Sequence, residues 1–197
     1  MRINTARQAW FDAYYQPSNS VTAKGLELAR LGRLIQSSQR TRGSEVQAHH
    51  AIAAHIQCAI DTLPGPISNF GHWMYNPQGD TDNRKEDAAI LIYLLAVMRS
   101  KRMTKAKRQK AEWVALGVMV RYRHMHQGGQ NSASDPLAKP ETFRAWLFEK
   151  HGVRLNSEAW QRDWVPFIDT CFDVCDEIDQ QALEPVAKCL NLMRQVA

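Results

Sequence analysis

The sequence predicts an all-α protein, a helical bundle with a smaller C-terminal helical unit. Three observations carry that expectation. Apolar residues recur at helical spacing in successive segments, no useful length of chain alternates with the two-residue period of a strand, and breaks rich in proline, glycine or polar residues separate the segments. The chain has 197 residues, 44% apolar and 23% charged, ordinary proportions for a globular protein with one sizeable core or two small ones.

The segments follow in order. Ile3 to Tyr15 reads as a first helix stopped by Pro17, and Ser20 is placed to cap a second with Leu26, Leu28, Leu31, Leu34 and Ile35 as its apolar residues. A polar break at Ser37 to Gly43 precedes a helix from Ser44 to Leu63, with Val46, Ile52, Ile56 and Ile60 on one side and Pro64-Gly65-Pro66 as a stop. Phe70 to Pro77 is an aromatic knot with core closure as its preferred role; an exposed Trp73 and Tyr75 would instead form a stacking platform for single-stranded bases. Ala88 to Met98 is apolar on every side, which predicts the most buried helix of the bundle.

Thr104 can cap the helix that follows, in which Ala111, Val114, Ala115, Val118 and Tyr122 form an inward stripe and Gly128-Gly129 is the stop. Gln130 to Lys139 has loop chemistry and is expected to link a main unit, residues 1–129, to an acidic unit, residues 140–197. Pro140 and Gly152 frame a short helix over Glu141 to His151. Asn156 can cap the next, which carries Trp160, Trp164, Ile168, Cys171, Cys175 and Ile178, with Pro166 expected to bend or restart it. A final helix is expected from Pro185 to about Arg194.

Charge distribution is the functional signal. Between Arg99 and Arg123 stand nine cations, Arg99, Lys101, Arg102, Lys105, Lys107, Arg108, Lys110, Arg121 and Arg123, against the single acid Glu112. A face charged only for solubility usually mixes signs, so this imbalance points to a polyanion as partner, duplex nucleic acid first. The net charge is +5, but Asn156 to Ala197 carries eight acids and three cations, a net −5 that leaves +10 for the rest. The two ends therefore either meet different partners or dock on each other. Lys101, Lys105 and Arg108, at spacings of four and three, are expected to share one helix face, and Arg, Lys and Gln109 are residue types that address base edges. The helices on either side of Ser100 to Met103 could form a helix-turn-helix or an ordinary antiparallel hairpin. Phe143 to Trp164 is a second, weaker helix-turn-helix candidate, because the helix after its turn is acidic.

Other chemistry is poorly supported. Cys171, Cys175 and Cys189 lack the tight Cys-x2-Cys turn of a structural zinc site, so no metal and no cofactor is expected. The histidines at 49, 50, 55, 124 and 126 fit partial burial or a surface that gains charge at low pH. No phosphate loop, nucleophile elbow or metal-hydrolase histidine pair is present, and the expectation is a non-enzymatic protein. No apolar run reaches the roughly 20 residues of a membrane span, Met1 to Trp10 lacks the apolar core of a signal peptide, and the four cysteines do not make a disulfide framework. Together these suggest the cytoplasm.

The buried segment leading into Arg99-Ser-Lys-Arg-Met-Thr-Lys-Ala-Lys-Arg-Gln-Lys110 resembles bacteriophage late-gene antitermination proteins of the Q type, over about a quarter of the chain. The resemblance implies a transcription regulator that binds promoter-proximal DNA and RNA polymerase in a host cytoplasm. The paired Cys-x2-Cys motifs of one branch of those proteins are missing here, so a zinc site does not carry over. In that reading the acidic C-terminal unit meets a protein partner or a second copy of the chain; the alternative is a helical adaptor or inhibitor of a host enzyme whose basic face meets an acidic protein patch.

Overall fold

The computed structural model describes residues 5–15, 39–77, 82–101, 103–127 and 135–196. Among these residues there are seven α-helices, one π-helical turn and no strand, as the sequence predicts. The helices are α1 (Ala6–Tyr14), α2 (Gln39–Asp61), α3 (Gly65–Tyr75), α4 (Asp82–Arg99), α5 (Lys105–Gln127), α6 (Pro140–His151) and α7 (Val165–Val196), with the π turn over Trp160–Trp164. No described helix is long and apolar enough to cross a membrane. The second expected helix, Ser20 to Ile35, lies outside the described residues.

The chain divides into two compact units, but not at the expected loop. One comprises residues 1–63, 75–79 and 183–197, the other residues 64–74 and 80–182. The expected acidic unit is not separate, because α6 and the first part of α7 belong with the basic helix α5. The described part of the expected linker is itself docked there. Asp135 binds Arg121, its other carboxylate oxygen accepts the Leu137 amide at 2.9 Å, and Leu137 is buried.

In the first unit, Thr5 caps α1 by accepting the Gln8 amide at 3.1 Å, and Ala9, Trp10 and Ala13 face inward. α1 packs on α2, whose Ile56 and Ile60 are buried and whose Gln57 side chain donates to the Ala13 carbonyl at 2.8 Å. α2 starts at Gln39, inside the expected polar break, so Gly43 is carried within a helix. Tyr75 closes on Trp10, ring centres 6.0 Å apart. The end of α7 adds buried Val186 and Leu190. Pro185 does not start a separate helix, since α7 runs through it. The carbonyl four residues earlier, at Gln181, loses its amide partner to the proline ring, but Gln181 is exposed and water can serve it.

In the second unit the aromatic knot is a helix. Pro64 and Pro66 stand at its start, where a missing amide hydrogen costs nothing, and the Ile67 and Ser68 amides donate to the Pro64 carbonyl. α4 turns Ala88, Ala89, Ile92 and Ala96 to the core, and its three alanines let α5 come close. α5 keeps the expected stripe, with Ala111, Val114, Ala115, Val118 and Tyr122 buried, and Thr104 accepts the Lys107 amide at 3.3 Å as its cap. Gly152 ends α6 with φ +67°, a left-handed turn that glycine adopts without a Cβ clash. Pro166 stands in the first turn of α7 just after the π turn, so it restarts the helix.

α4 departs from its expected burial. Ile90, Leu94 and Met98 are 44%, 52% and 81% exposed, so the helix buries one face and leaves an apolar stripe on the other.

Gly117 sets the distance between α5 and α6. A Cβ there would stand 2.7 and 2.8 Å from two ring atoms of Phe143 and 3.3 Å from Trp146. On an open helix face alanine is worth roughly 1 kcal/mol more than glycine, but here the added methyl meets two bulky rings with other side chains behind them. Gly117→Ala is therefore expected to destabilise by about 1–3 kcal/mol, the usual range for overpacking. Denaturant unfolding checks it, and a stabilised variant would mean that α6 moves freely on α5.

Candidate nucleic-acid interface

Folding uses up much of the basic run. Arg99 makes a two-pronged pair with Glu177 at 2.6 and 2.7 Å, which raises the pKa of the guanidinium and lowers that of the carboxyl. Lys107 stands 3.9 Å from Asp163 and 5.4 Å above the Trp164 ring. Lys110 donates to the Arg154 carbonyl at 2.8 Å. Arg121 pairs with Asp135 at 2.8 Å, with its guanidinium 5.8 Å from the Phe143 ring and 5.2 Å from Phe172. Arg123 lies over Trp73 at 4.1 Å. Glu177 and Asp163 come from the acidic segment, so the two charge blocks dock partly on each other.

The remaining cations gather at one place. Lys105 and Arg108 are exposed in the first turns of α5, Gln109 is exposed beside them, and Lys101 is exposed just before the helix. No ion pair joins Lys101, Lys105 or Arg108 to another described residue. Lys101 is not on the helix face expected from its spacing, because α5 begins at Lys105. Arg102 falls outside the described residues.

Helix direction makes this end unusual. The start of an α-helix carries a partial positive charge from its unpaired amides, which favours acids in the first turn and disfavours cations. α5 has 23 residues and no acid in its first turn. Lys105, Lys107 and Arg108 therefore add their field to that of the helix, and the sum favours a bound anion.

The surrounding helices make a hairpin. Lys85, near the start of α4, lies 5.4 Å from the Trp73 ring, and Arg123, near the end of α5, lies over the same ring. The two helices thus run side by side in opposite directions, whereas a helix-turn-helix needs a steep crossing. In the second candidate, Asn156 accepts the Glu158 amide at 3.0 Å in a local turn, and a π turn precedes α7.

The aromatic knot closes the core, with Phe70, Met74 and Tyr75 buried, and the alternative stacking platform does not form. Tyr75 is buried against Trp10, and Trp73 is half-buried with Arg123 and Lys85 near its ring. A partly exposed aromatic group lies instead on α5 and α6. Trp113 stacks on His151 with ring centres 4.4 Å apart and planes 24° from parallel, and Trp146 meets the same imidazole edge-on at 5.2 Å. Trp113 stands at helical spacing from Gln109 and Lys110, so the pattern in the sequence could have singled it out.

Cys171 and Cys175 line the core of α7, and burial pushes both thiols far above the ordinary thiol range. Their burial fits neutral apolar filling of the core. No group of three or more His, Cys, Asp or Glu placed to hold a metal occurs among the described residues. Comparison with protein-family models, curated proteins and solved structures finds no match.

Two predictions follow from these placements. Burial, then the charges of Lys85 and Lys150, lower the His151 pKa, so just below about pH 6.5 the unfolded chain binds more protons than the folded one. Stability present at pH 7 is thus lost as pH falls through the unfolded value toward the folded one. Denaturant midpoints between pH 7 and 5.5 should drop more steeply for the wild type than for His151→Gln, and parallel profiles would refute the assignment. Arg121→Gln breaks a largely covered ion pair and should cost up to the roughly 3–5 kcal/mol typical of buried pairs broken on one side. Its binding to a polyanion, measured below its unfolding transition, should be unchanged.

Proposed function

We propose that this protein is a non-enzymatic nucleic-acid-binding regulator that holds duplex DNA at the N-terminal end of α5. One observation carries the reading. Lys101, Lys105 and Arg108 are exposed and lack an ion pair among the described residues, at the positive end of a long helix, while other cations of the same run are held by folding. Folding alone gives no reason to cluster cations where the helix disfavours them; a phosphate backbone does. The resemblance of Arg99 to Lys110 to phage antitermination regulators supports transcription as the setting and RNA polymerase as the protein partner.

A second reading, a helical interaction module without nucleic acid, is favoured by the exposed apolar stripe of α4. Pull-down from nuclease-treated lysate separates the two, because a nucleic-acid binder loses partners that an adaptor keeps.

The test sets affinity against stability. Lys101→Gln, Lys105→Gln and Arg108→Gln together should weaken salt-sensitive duplex binding in a gel shift and reduce the slope of log affinity against log salt by about 3. The same triple variant should be no less stable than the wild type, with about 0.3–1 kcal/mol gained per charge removed within the first turn. Undiminished binding would remove this surface from consideration.

A further inference from the structure

We propose that the chain pairs with a second copy of itself through α4, antiparallel, with Leu94 on the two-fold axis. The exposed face of α4 is self-complementary about that residue. Asp87 and Leu94, seven residues apart, share the face, and Lys101 follows two residues beyond the end of the helix, so the stripe has an acid at one end and an exposed cation just past the other. Asp87 and Lys101 are both exposed. α4 ends at Arg99, yet the Ser100 amide still donates to the Ala96 carbonyl at 2.9 Å, so the chain holds the helical line almost to Lys101. Laying a second α4 antiparallel across Leu94 sets each Asp87 beside the other copy's Lys101. A two-fold contact of this kind needs such a self-complementary patch.

The apolar part matches in the same register. Antiparallel pairing about Leu94 puts Ile90 of one copy opposite Met98 of the other. Met98 is 81% exposed, a long flexible knob. Beside Ile90 and Leu94 lies a shallow groove of about 390 Å³, walled on its other side by Gly65, Pro66 and Asn69, with Asp87 at its edge. Asn69 donates to Asp87 at 2.9 Å, which fixes the carboxylate there. Knob and groove thus stand on opposite sides of Leu94, as a two-fold pair requires, and each copy offers both.

This inference does not depend on the nucleic-acid reading. One helix stripe and a shallow groove are small for a stable interface, so the self-dissociation constant should lie in roughly the micromolar range.

Sedimentation of the full chain from about 1 to 100 μM, a span around that constant, should show a monomer passing to a dimer. Leu94→Glu sets two carboxylates face to face on the axis and should leave a monomer of unchanged helical content. Asp87→Lys should weaken the dimer at least tenfold, and adding Lys101→Asp in the same chain should restore it, which a folding defect would not do. In a Cys58→Ser background, mild oxidation should cross-link Leu94→Cys but not Asp87→Cys, whose copies stand about 20 Å apart along antiparallel axes. A wild type that stays monomeric, a charge swap without rescue, or cross-linking through Asp87→Cys would each overturn the proposal.

Discussion

The second unit depends on α5 being packed against from several sides at once. Its inward stripe meets the alanines of α4, its Gly117 lets the Phe143 and Trp146 rings of α6 lie almost on its backbone, and its Tyr122 hydroxyl lies 2.9 Å from Asp176 and 3.3 Å from Asp179 of α7. These contacts decide which of its cations remain available. Lys107 and Lys110 lie where the π turn and the segment after α6 reach them, and Arg121 where the segment before α6 does, so all three are consumed, whereas Lys105 and Arg108 are exposed. The basic character of the helix is therefore divided by packing. A count of charges along the chain overstates how many cations remain free to meet a polyanion.

The consumed pairs differ in what they contribute. Arg99 and Glu177 make the best geometry but are both half exposed, so water and salt screen them. Arg121 and Asp135 are largely covered and flanked by two aromatic rings, so their loss leaves a charge with poor access to water. Arg121 is thus a part of the core that happens to be basic.

Much of the fold was legible in the sequence, because periodicity and caps are local. The Thr104 cap, the stripe from Ala111 to Tyr122 and the Pro140 to Gly152 frame all follow from chemistry within a turn or two. The misread elements turn on distant partners or on ambiguous local signals. The apolar run Ala88 to Met98 gave no hint that Ile90, Leu94 and Met98 would be exposed. Pro64 and Pro66 read as a stop when they also begin a helix. Pro185 read as a boundary because the sequence does not say that water can serve the carbonyl behind it. Of the interface, Lys105, Arg108 and their cap were legible. That Arg99, Lys107, Lys110, Arg121 and Arg123 would find partners was not, since those partners lie between 44 and 78 residues away for all but Arg121 and Asp135.

The proposed self-pairing and the proposed anion binding would use neighbouring parts of the same unit, with Lys101 between them. In the proposed dimer Lys101 faces Asp87 of the other copy, so it contributes less to the phosphate surface, while Lys105 and Arg108 lie beyond the seam. Antiparallel pairing about Leu94 places the two copies of Lys101 about 20 Å apart along the axis, at 1.5 Å per residue. That exceeds twice the screening length of about 8 Å at physiological salt, so the two cationic ends repel each other only weakly. Association therefore puts two positive helix starts on one particle at little electrostatic cost. A phosphate backbone long enough to reach both is held more tightly than either end could hold it alone.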